Sequence, residues 1–343
     1  MPGRTTVLVT GGAGFIGSHT CVELLDHGYD VVVVDDYSNS SPGALERVAK
    51  IAARPPVAVH ELDLLDRRAL SRVFDEHRID AVIHFAARKA VGESVELPIE
   101  YYDTNVGGTT ALLRVMRDHE VHRLVFSSSC SIYGAAARVP ITEQDPAAPT
   151  NPYAASKWLC EQVLADTCRH LPELSVLALR YFNPVGAHPS GLLGEVPRTA
   201  VPNNVMPYLA RVAAGRLPGL SVFGDDYPTA DGTGVRDYIH VMDVAEGHRA
   251  ALEHLDDDSG MRVFNLGTGQ GTSVLELVAA FQRACGRPIP YEITGRRPGD
   301  VPALVADPGG VARAWNWTTR RDLAAMCEDA WRFQECNPSG YPD

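Results

Sequence analysis

Val7-Leu8-Val9-Thr10-Gly11-Gly12-Ala13-Gly14-Phe15-Ile16-Gly17 carries an apolar run into a cluster of glycines, and an amphipathic segment, Ser18 to His27, follows at once. That order predicts a strand, a tight turn and a helix. The glycines at 11, 14 and 17 have the spacing T-G-x-x-G-x-x-G. Without side chains such a turn lets backbone approach a pyrophosphate, and the positive end of the new helix favours the anion. Glycine also serves tight turns for conformational reasons alone, so the motif draws its weight from context. A second apolar run, Val31 to Val34, closes on Asp35, eighteen positions after Gly17. This is near the roughly 20-residue offset at which an acid meets the adenosine ribose hydroxyls. An anion there repels a 2′-phosphate, so NAD rather than NADP is expected. The competing reading is that Asp35 and Asp36 merely end a strand and open a turn.

Downstream, apolar runs and helical patterns alternate. A helix is expected over about 43–53, a strand over 57–62 ending at Asp63-Leu64, and a helix over about 67–77. Asp63 then either reaches the adenine amino group or caps the helix that begins near Asp66. The buried strand Ala81 to His84 continues into the small residues of Phe85-Ala86-Ala87, which suit a close backbone approach to a cofactor. A long helical pattern from Tyr101 to Met116 precedes the strand Leu124-Val125-Phe126, which ends in Ser127-Ser128-Ser129-Cys130-Ser131. Tyr153 to about Arg169 reads as a helix and 176–182 as a strand ending at Asn183-Pro184. Strands alternating with helices imply an α/β, Rossmann-type doubly wound parallel sheet that binds ligands at the carboxyl ends of its strands. From Gly186 the strands shorten and Gly, Pro and Asn become frequent. The expected division is therefore 1–185, the NAD-binding domain, and 186–343, a smaller α/β substrate domain, with a short segment near 236–250 returning to the first.

A hydrophobic content of 45% over 343 residues supports a real core. The net charge of −12 argues against a nucleic-acid backbone as partner, since that affinity comes from Lys and Arg neutralising phosphates. The seven cysteines are odd in number, scattered and without a C-x-x-C pair, so reduced thiols, a cytoplasmic location and no metal site are expected. Neither a signal peptide at Met1-Pro2-Gly3-Arg4 nor a membrane-length apolar run is read in the sequence.

Tyr153 and Lys157 lie four apart, on one face of their helix. A tyrosine moves protons near neutral pH only if its pKa, near 10 when free, is pulled down. Lys157 and the positive nicotinamide ring would favour the phenolate by direct charge interaction. A hydroxyl from Ser129 would hold the substrate oxygen or the tyrosine. Together they form an acid/base set suited to taking a proton from an alcohol while hydride leaves its carbon. The alternative for Tyr153 and Lys157 is an ordinary amphipathic helix start.

T-G-G-x-G-F-I-G, the serine strand end and Y-x-x-x-K resemble the extended short-chain dehydrogenases/reductases. Within these, His84-Phe85-Ala86-Ala87, Lys89-Ala90-Val91-Gly92-Glu93-Ser94, Arg180-Tyr181-Phe182-Asn183-Pro184-Val185-Gly186-Ala187 and Asp231 to Val241 resemble the UDP-glucose 4-epimerase family, a likeness that runs to Gly340-Tyr341-Pro342-Asp343. The resemblance implies a tightly held NAD that is not consumed, with UDP-glucose and UDP-galactose interconverted through a 4-keto intermediate. Tyr153 would be the base, Ser129 would hydrogen-bond the reacting oxygen, and Lys157 would lower the tyrosine pKa and hold the nicotinamide ribose. For the cofactor it implies Gly11, Gly14, Phe15, Ile16, Gly17, Asp35, Asn39, Ser40, Asp63, Leu64, Phe85, Ala86, Ala87, Lys89, Asn105 and Phe182. For the nucleotide sugar it implies Lys89, Asn183, Asn204, Arg236, Arg297 and Asp300. Arginine suits phosphate because its planar fork donates two parallel hydrogen bonds. Arg297 reads equally as part of a solvated loop, and Arg236 as the ion-pair partner of Asp237. Leu304 stands where the family's large Tyr restricts the sugar pocket and a small residue admits N-acetylated sugars.

The same resemblance implies a homodimer built through helices starting near Tyr101 and Tyr153; the apolar Trp158, Leu159 and Val163 fit that interface and fit burial within one subunit equally well. Two rivals differ in chemistry. A nucleotide-sugar 4,6-dehydratase needs an acid pair just after the serine strand, where this chain has Cys130 and Ser131. A dinucleotide sensor has no use for Tyr153, Lys157 and Ser129 together.

Overall fold

The computed structural model describes residues 4–199, 201–297 and 299–341, so Met1-Pro2-Gly3 and the closing Pro342-Asp343 lie outside the described residues. The chain divides into two compact units. The first runs to Ile132 and takes in Pro149–Arg180 and Ala245–Phe264; the second holds Tyr133–Ala148, Tyr181–Val244 and the chain from Asn265 onward.

In the first unit, β1 (Thr6–Thr10), β2 (Asp30–Asp35), β3 (Ala58–Glu61), β4 (Ala81–His84), β5 (Arg123–Ser129) and β6 (Ser175–Tyr181) form one sheet with the strand Gly260–Leu266. Its order is Gly260–Leu266, β6, β5, β4, β1, β2, β3. Pairing is parallel at β1–β2, β1–β4, β2–β3 and β4–β5. Val31 to Val34 are all buried, as expected where helices cover both faces of a parallel sheet. Strand order reverses between β1 and β4, which makes the carboxyl ends of those strands the place for a ligand.

The helices are α1 (Phe15–Asp26), α2 (Pro42–Ile51), α3 (Arg67–Glu76), α4 (Val91–Glu96), α5 (Pro98–Tyr101), α6 (Gly108–Asp118) and α7 (Pro152–His170). Local chemistry sets several starts. Ser41 accepts the Gly43 N–H and Pro42 opens α2; Asp66 accepts the Arg68 and Ala69 N–H groups of α3; Asn151 accepts the Ala154 N–H and Pro152 opens α7. The single long helix expected from Tyr101 is instead α5, a π-helical turn over Tyr102–Gly107, and α6. Leu8, Val82, Leu112, Leu124, Phe126 and Leu164 centre the core.

The second unit has its own core, in which Met206 and Leu209 of the helix Val205–Ala213 pack with Leu277, Phe281 and Trp331. Thr272–Ser273, Val235–Arg236 and Ala303–Leu304 form a small sheet, and Leu220–Phe223 pairs in parallel with Tyr291–Thr294. Segment 133–148 belongs to this unit for visible reasons. Ile141 bridges to Ala306, Tyr133 donates to Asn265 Oδ1 (2.7 Å), Asn265 Nδ2 donates to the Ile141 carbonyl (2.9 Å), and Glu143 accepts the Asn265 N–H (2.9 Å). The division therefore departs from a single boundary after 185, and the returning segment is 245–264 rather than 236–250.

Candidate active site

Gly11 takes φ +69°, and a Cβ there would lie 2.7 Å from the Ala86 nitrogen; one on Gly17 would lie 2.2 Å from the Gly11 carbonyl. Only glycine permits this turn, with α1 starting directly after it. Gly14 gives α1 no side-chain cap, and no acid stands in the first turn, so the amides around Phe15, Ile16 and Gly17 are left for an external anion. Asp35, buried at the end of β2, accepts the Ala13 N–H (2.9 Å), the Tyr37 N–H (3.0 Å) and the Ser40 hydroxyl (2.7 Å). Burial raises its carboxyl pKa, against the pull of these bonds. Those partners are neutral, so the site suits a ribose hydroxyl and not a phosphate. The residues present fit a dinucleotide.

The other expected cofactor residues differ in how directly they are presented. Asn39 and Lys89 are exposed, and Phe15, Ile16, Phe85, Ala86 and Ala87 half-buried. Phe85 stacks on His248 with ring centres 4.6 Å apart. Exposed Asp63 accepts the Leu65 N–H (2.9 Å) and does not cap α3, which is the work of Asp66. Leu64 is a core residue. Asn105 is clamped: its amide accepts the Arg88 N–H (2.8 Å) and donates to the Arg88 carbonyl (3.1 Å) and the Ser156 hydroxyl (2.9 Å). Phe182, in the second unit, is buried, with its N–H on the Leu266 carbonyl (3.0 Å).

Ser129 ends β5, while Tyr153 and Lys157 occupy the first turns of α7. The exposures of Tyr153 and Lys157 are 8% and 3%, so both work out of bulk water. The Ser129 hydroxyl lies 2.8 Å from the Ser131 hydroxyl and acts on the Tyr153 phenol to lower its pKa. Lys157 Nζ donates to the Ser127 carbonyl (2.8 Å) and stands 5.0 Å over the Phe126 ring.

Burial pushes the Tyr153 phenol up to about 12, against the pull of Ser129. The Lys157 ammonium is itself driven down to about 8 by burial. Tyr153 therefore rests as the neutral phenol.

In the second unit Arg236, Arg297 and Asp300 come together. Arg297 grips Asp300 through Nε (3.2 Å) and Nη2 (2.9 Å), and Arg236 Nη2 stands 3.8 Å from the same carboxylate. Arg236 also donates to the Val235 and Val301 carbonyls, both at 2.9 Å. Asp237 is not its ion-pair partner: that buried carboxylate collects the Thr268, Gly269 and Ala306 N–H groups and the Thr268 hydroxyl. Asn183 Oδ1 is buried with no hydrogen-bond partner among the described residues. Asn204, exposed, donates to Glu195 (2.6 Å). Leu304 pairs with Arg236 across the small sheet.

The network behind the proton-transfer set went unread in the sequence. Glu161, one turn beyond Lys157, forms a buried ion pair with Arg180 of β6 (Nε to Oε1 3.0 Å) and accepts the Ser128 hydroxyl. A lone arginine in the otherwise apolar run Val176 to Tyr181 was its signal, because a charge in a buried strand needs a buried partner.

The model of the NAD dependent epimerase/dehydratase family matches residues 7–267. The UDP-glucose 4-epimerase of Bacillus subtilis is 54% identical over 98% of both chains. UDP-glucose 4-epimerase 2 of Arabidopsis thaliana is 53% identical, over 98% of this chain and 97% of its own. The crystal structure of the Bifidobacterium longum UDP-glucose 4-epimerase in complex with NAD+ and UDP superposes with a TM-score of 0.95 at 52% identity, covering 98% of this chain and 100% of that one.

Proposed function

This chain belongs to the NAD-dependent epimerase/dehydratase family and, within it, to the UDP-glucose 4-epimerases, and from that premise we propose that it interconverts UDP-glucose and UDP-galactose at a site whose proton is moved by Tyr153. Its cofactor is NAD. Held by the glycine turn and Asp35 of the first unit, NAD would supply the hydride acceptor and donor that reaction at sugar C4 needs. The observation that carries the assignment of the proton is the pair of buried side chains Tyr153 and Lys157 on the first turns of α7, with the Ser129 hydroxyl at the end of β5 acting on the phenol.

In this reading the residues divide the work. Ser129 and Tyr153 hold the oxygen at C4, and Tyr153 removes its proton and later restores it. With the phenol held near 12 by burial, the tyrosine becomes a base when positive charge is brought beside it, and Lys157 with the nicotinamide ring supplies that charge. Lys157 also gives a contact for the cofactor ribose. The first unit, with Gly11, Gly14, Gly17 and Asp35, holds NAD. Arg236, Arg297, Asn183, Asn204 and Asp300 of the second unit hold the uridine diphosphate, Asn183 with its unpartnered amide oxygen. Cys130 and Ser131 offer no acid pair for eliminating water, which favours epimerisation over dehydration.

The chain acts as a homodimer in this reading, supported by Val95 and Ile99 at 64% and 71% exposure on α4 and α5 with Leu159 open on α7. Val163 instead packs against the core of its own unit. Seven free cysteines support a reducing, cytoplasmic location. Among the described residues no helix is long and apolar enough to cross a membrane.

The test is incubation of purified protein with UDP-galactose without added NAD, beside a parallel reaction with UDP-N-acetylgalactosamine. UDP-glucose should form, and the branched Leu304 should hold the N-acetylated reaction well below it. No conversion even after NAD is supplied would overturn the epimerase reading.

A further inference from the structure

We propose that His60, Glu76 and His77 form a binding site for one divalent transition-metal ion on the first unit, joining β3 to the end of α3. His60 stands opposite Val34 in the sheet register, on the edge strand. His77 follows α3, where the backbone leaves the helix at φ −129° and ψ 130° while its N–H still bonds the Val73 carbonyl. The two imidazoles meet Nε2 to Nε2 at 3.0 Å, with ring planes 67° apart. Glu76 adds a carboxylate, and one ligand atom from each of the three lies within 4.8 Å of the others.

Two neutral imidazoles facing through the same nitrogen make one hydrogen bond, with one ring donating and the other accepting. Both lone pairs are used only if a cation sits between them and each ring carries its proton on Nδ1. Nitrogens held about 2.1 Å from one metal at a right angle would stand about 3.0 Å apart, the separation seen here. Two imidazoles and a carboxylate select borderline ions such as Ni2+, Zn2+ or Cu2+ over the oxygen-seeking Mg2+ and Ca2+. The adjoining groove, lined by Val59, Leu62, Ala69 and Arg72, leaves coordination positions to water. Arg72 opposes a cation there, and the Glu76 carboxylate offsets it. None of the three ligands is among the residues assigned to NAD or to the nucleotide sugar. Linear spacing hid the site, because a histidine on a strand and a Glu-His pair ending a helix meet only when β3 and α3 pack.

A tag-free preparation titrated with NiCl2 by calorimetry should bind one equivalent. His60→Ala and His77→Ala should each weaken that binding at least tenfold, and Glu76→Gln by less. Ni2+ in hundredfold excess over the parent's Kd should raise the unfolding midpoint of the parent by about 2 °C or more and that of His77→Ala by no more than about half as much. Epimerase activity without added metal should be the same in the parent and His77→Ala, showing that the variant folds. Undiminished binding by His77→Ala, or none by the parent up to about 100 µM Ni2+, overturns the site.

Discussion

Lys157 carries a charge that its surroundings disfavour, and this makes its titration visible in stability. The folded chain releases this proton near pH 8, whereas an unfolded lysine holds it to about 10.5. Between those values unfolding takes up a proton, so stability should rise with pH, by at most about 1.4 kcal/mol per pH unit from this group. Tyr153 acts in the other direction. Its folded pKa of about 12 exceeds the ordinary 10, so its contribution is present below pH 10 and is lost as pH climbs toward 12. Burial holds the thiols of Cys21, Cys160, Cys168 and Cys327 above their ordinary range, which pulls stability down as pH rises past about 9. The Lys157 contribution is therefore read as the difference between the parent and Lys157→Met in denaturant unfolding of nucleotide-free protein at pH 8, 9 and 10, and it should grow in the parent's favour. A difference that does not grow over that range would remove Lys157 as its source. The identity of both residues was legible in Y-x-x-x-K, but the direction of their pKa shifts was not. That direction depends on the Ser127 carbonyl and the burial supplied by packing, which spacing does not encode.

The element that organises the chemistry is α7, which carries Tyr153 and Lys157 on its first turns and Glu161 one turn later. Glu161 joins Arg180 of β6 and Ser128 of β5 with almost no solvent, the paired side chains being 2% and 6% exposed. Breaking one side of a buried pair leaves an uncompensated charge and costs about 3–5 kcal/mol. Glu161→Gln should lose stability on that scale in urea unfolding, while replacing both partners by Met should recover much of it. A loss below about 1 kcal/mol for the single change would mean the pair is more hydrated than its burial indicates. The elements of the first unit were readable because apolar runs, glycine turns and caps agree: Asn151 and Pro152 start α7, and Val31 to Val34 fill β2. The π-helical turn at Tyr102–Gly107 was not. It bends the chain so that Asn105 can clamp Arg88 to Ser156, a tertiary demand without a sequence period.

At the scale of the whole molecule, the two units are interleaved in sequence, and a pass along the chain reads only part of that. The departure of Tyr133–Ala148 to the second unit rests on single residues such as Ile141 and Asn265, while Ala245–Phe264 belongs to the first. Arg236, Arg297 and Asp300, in contrast, were named from stretches far apart in the chain and do meet. Assembly gives a further prediction at this scale. An exposed apolar side chain such as Ile99 is tolerable when a second copy covers it, so Ile99→Glu should shift sedimentation from dimer to monomer. A dimer that survives the added charge would place the interface elsewhere.

The central claim is that Tyr153 moves the proton, and turnover by Tyr153→Phe tests it most directly. With bound NAD quantified and UDP affinity measured on the same preparation, the account predicts a fall in kcat of about 10²–10⁴-fold. UDP binding should stay within about threefold of the parent, a change of less than 1 kcal/mol. Near-parental turnover by a variant that retains its NAD would contradict it.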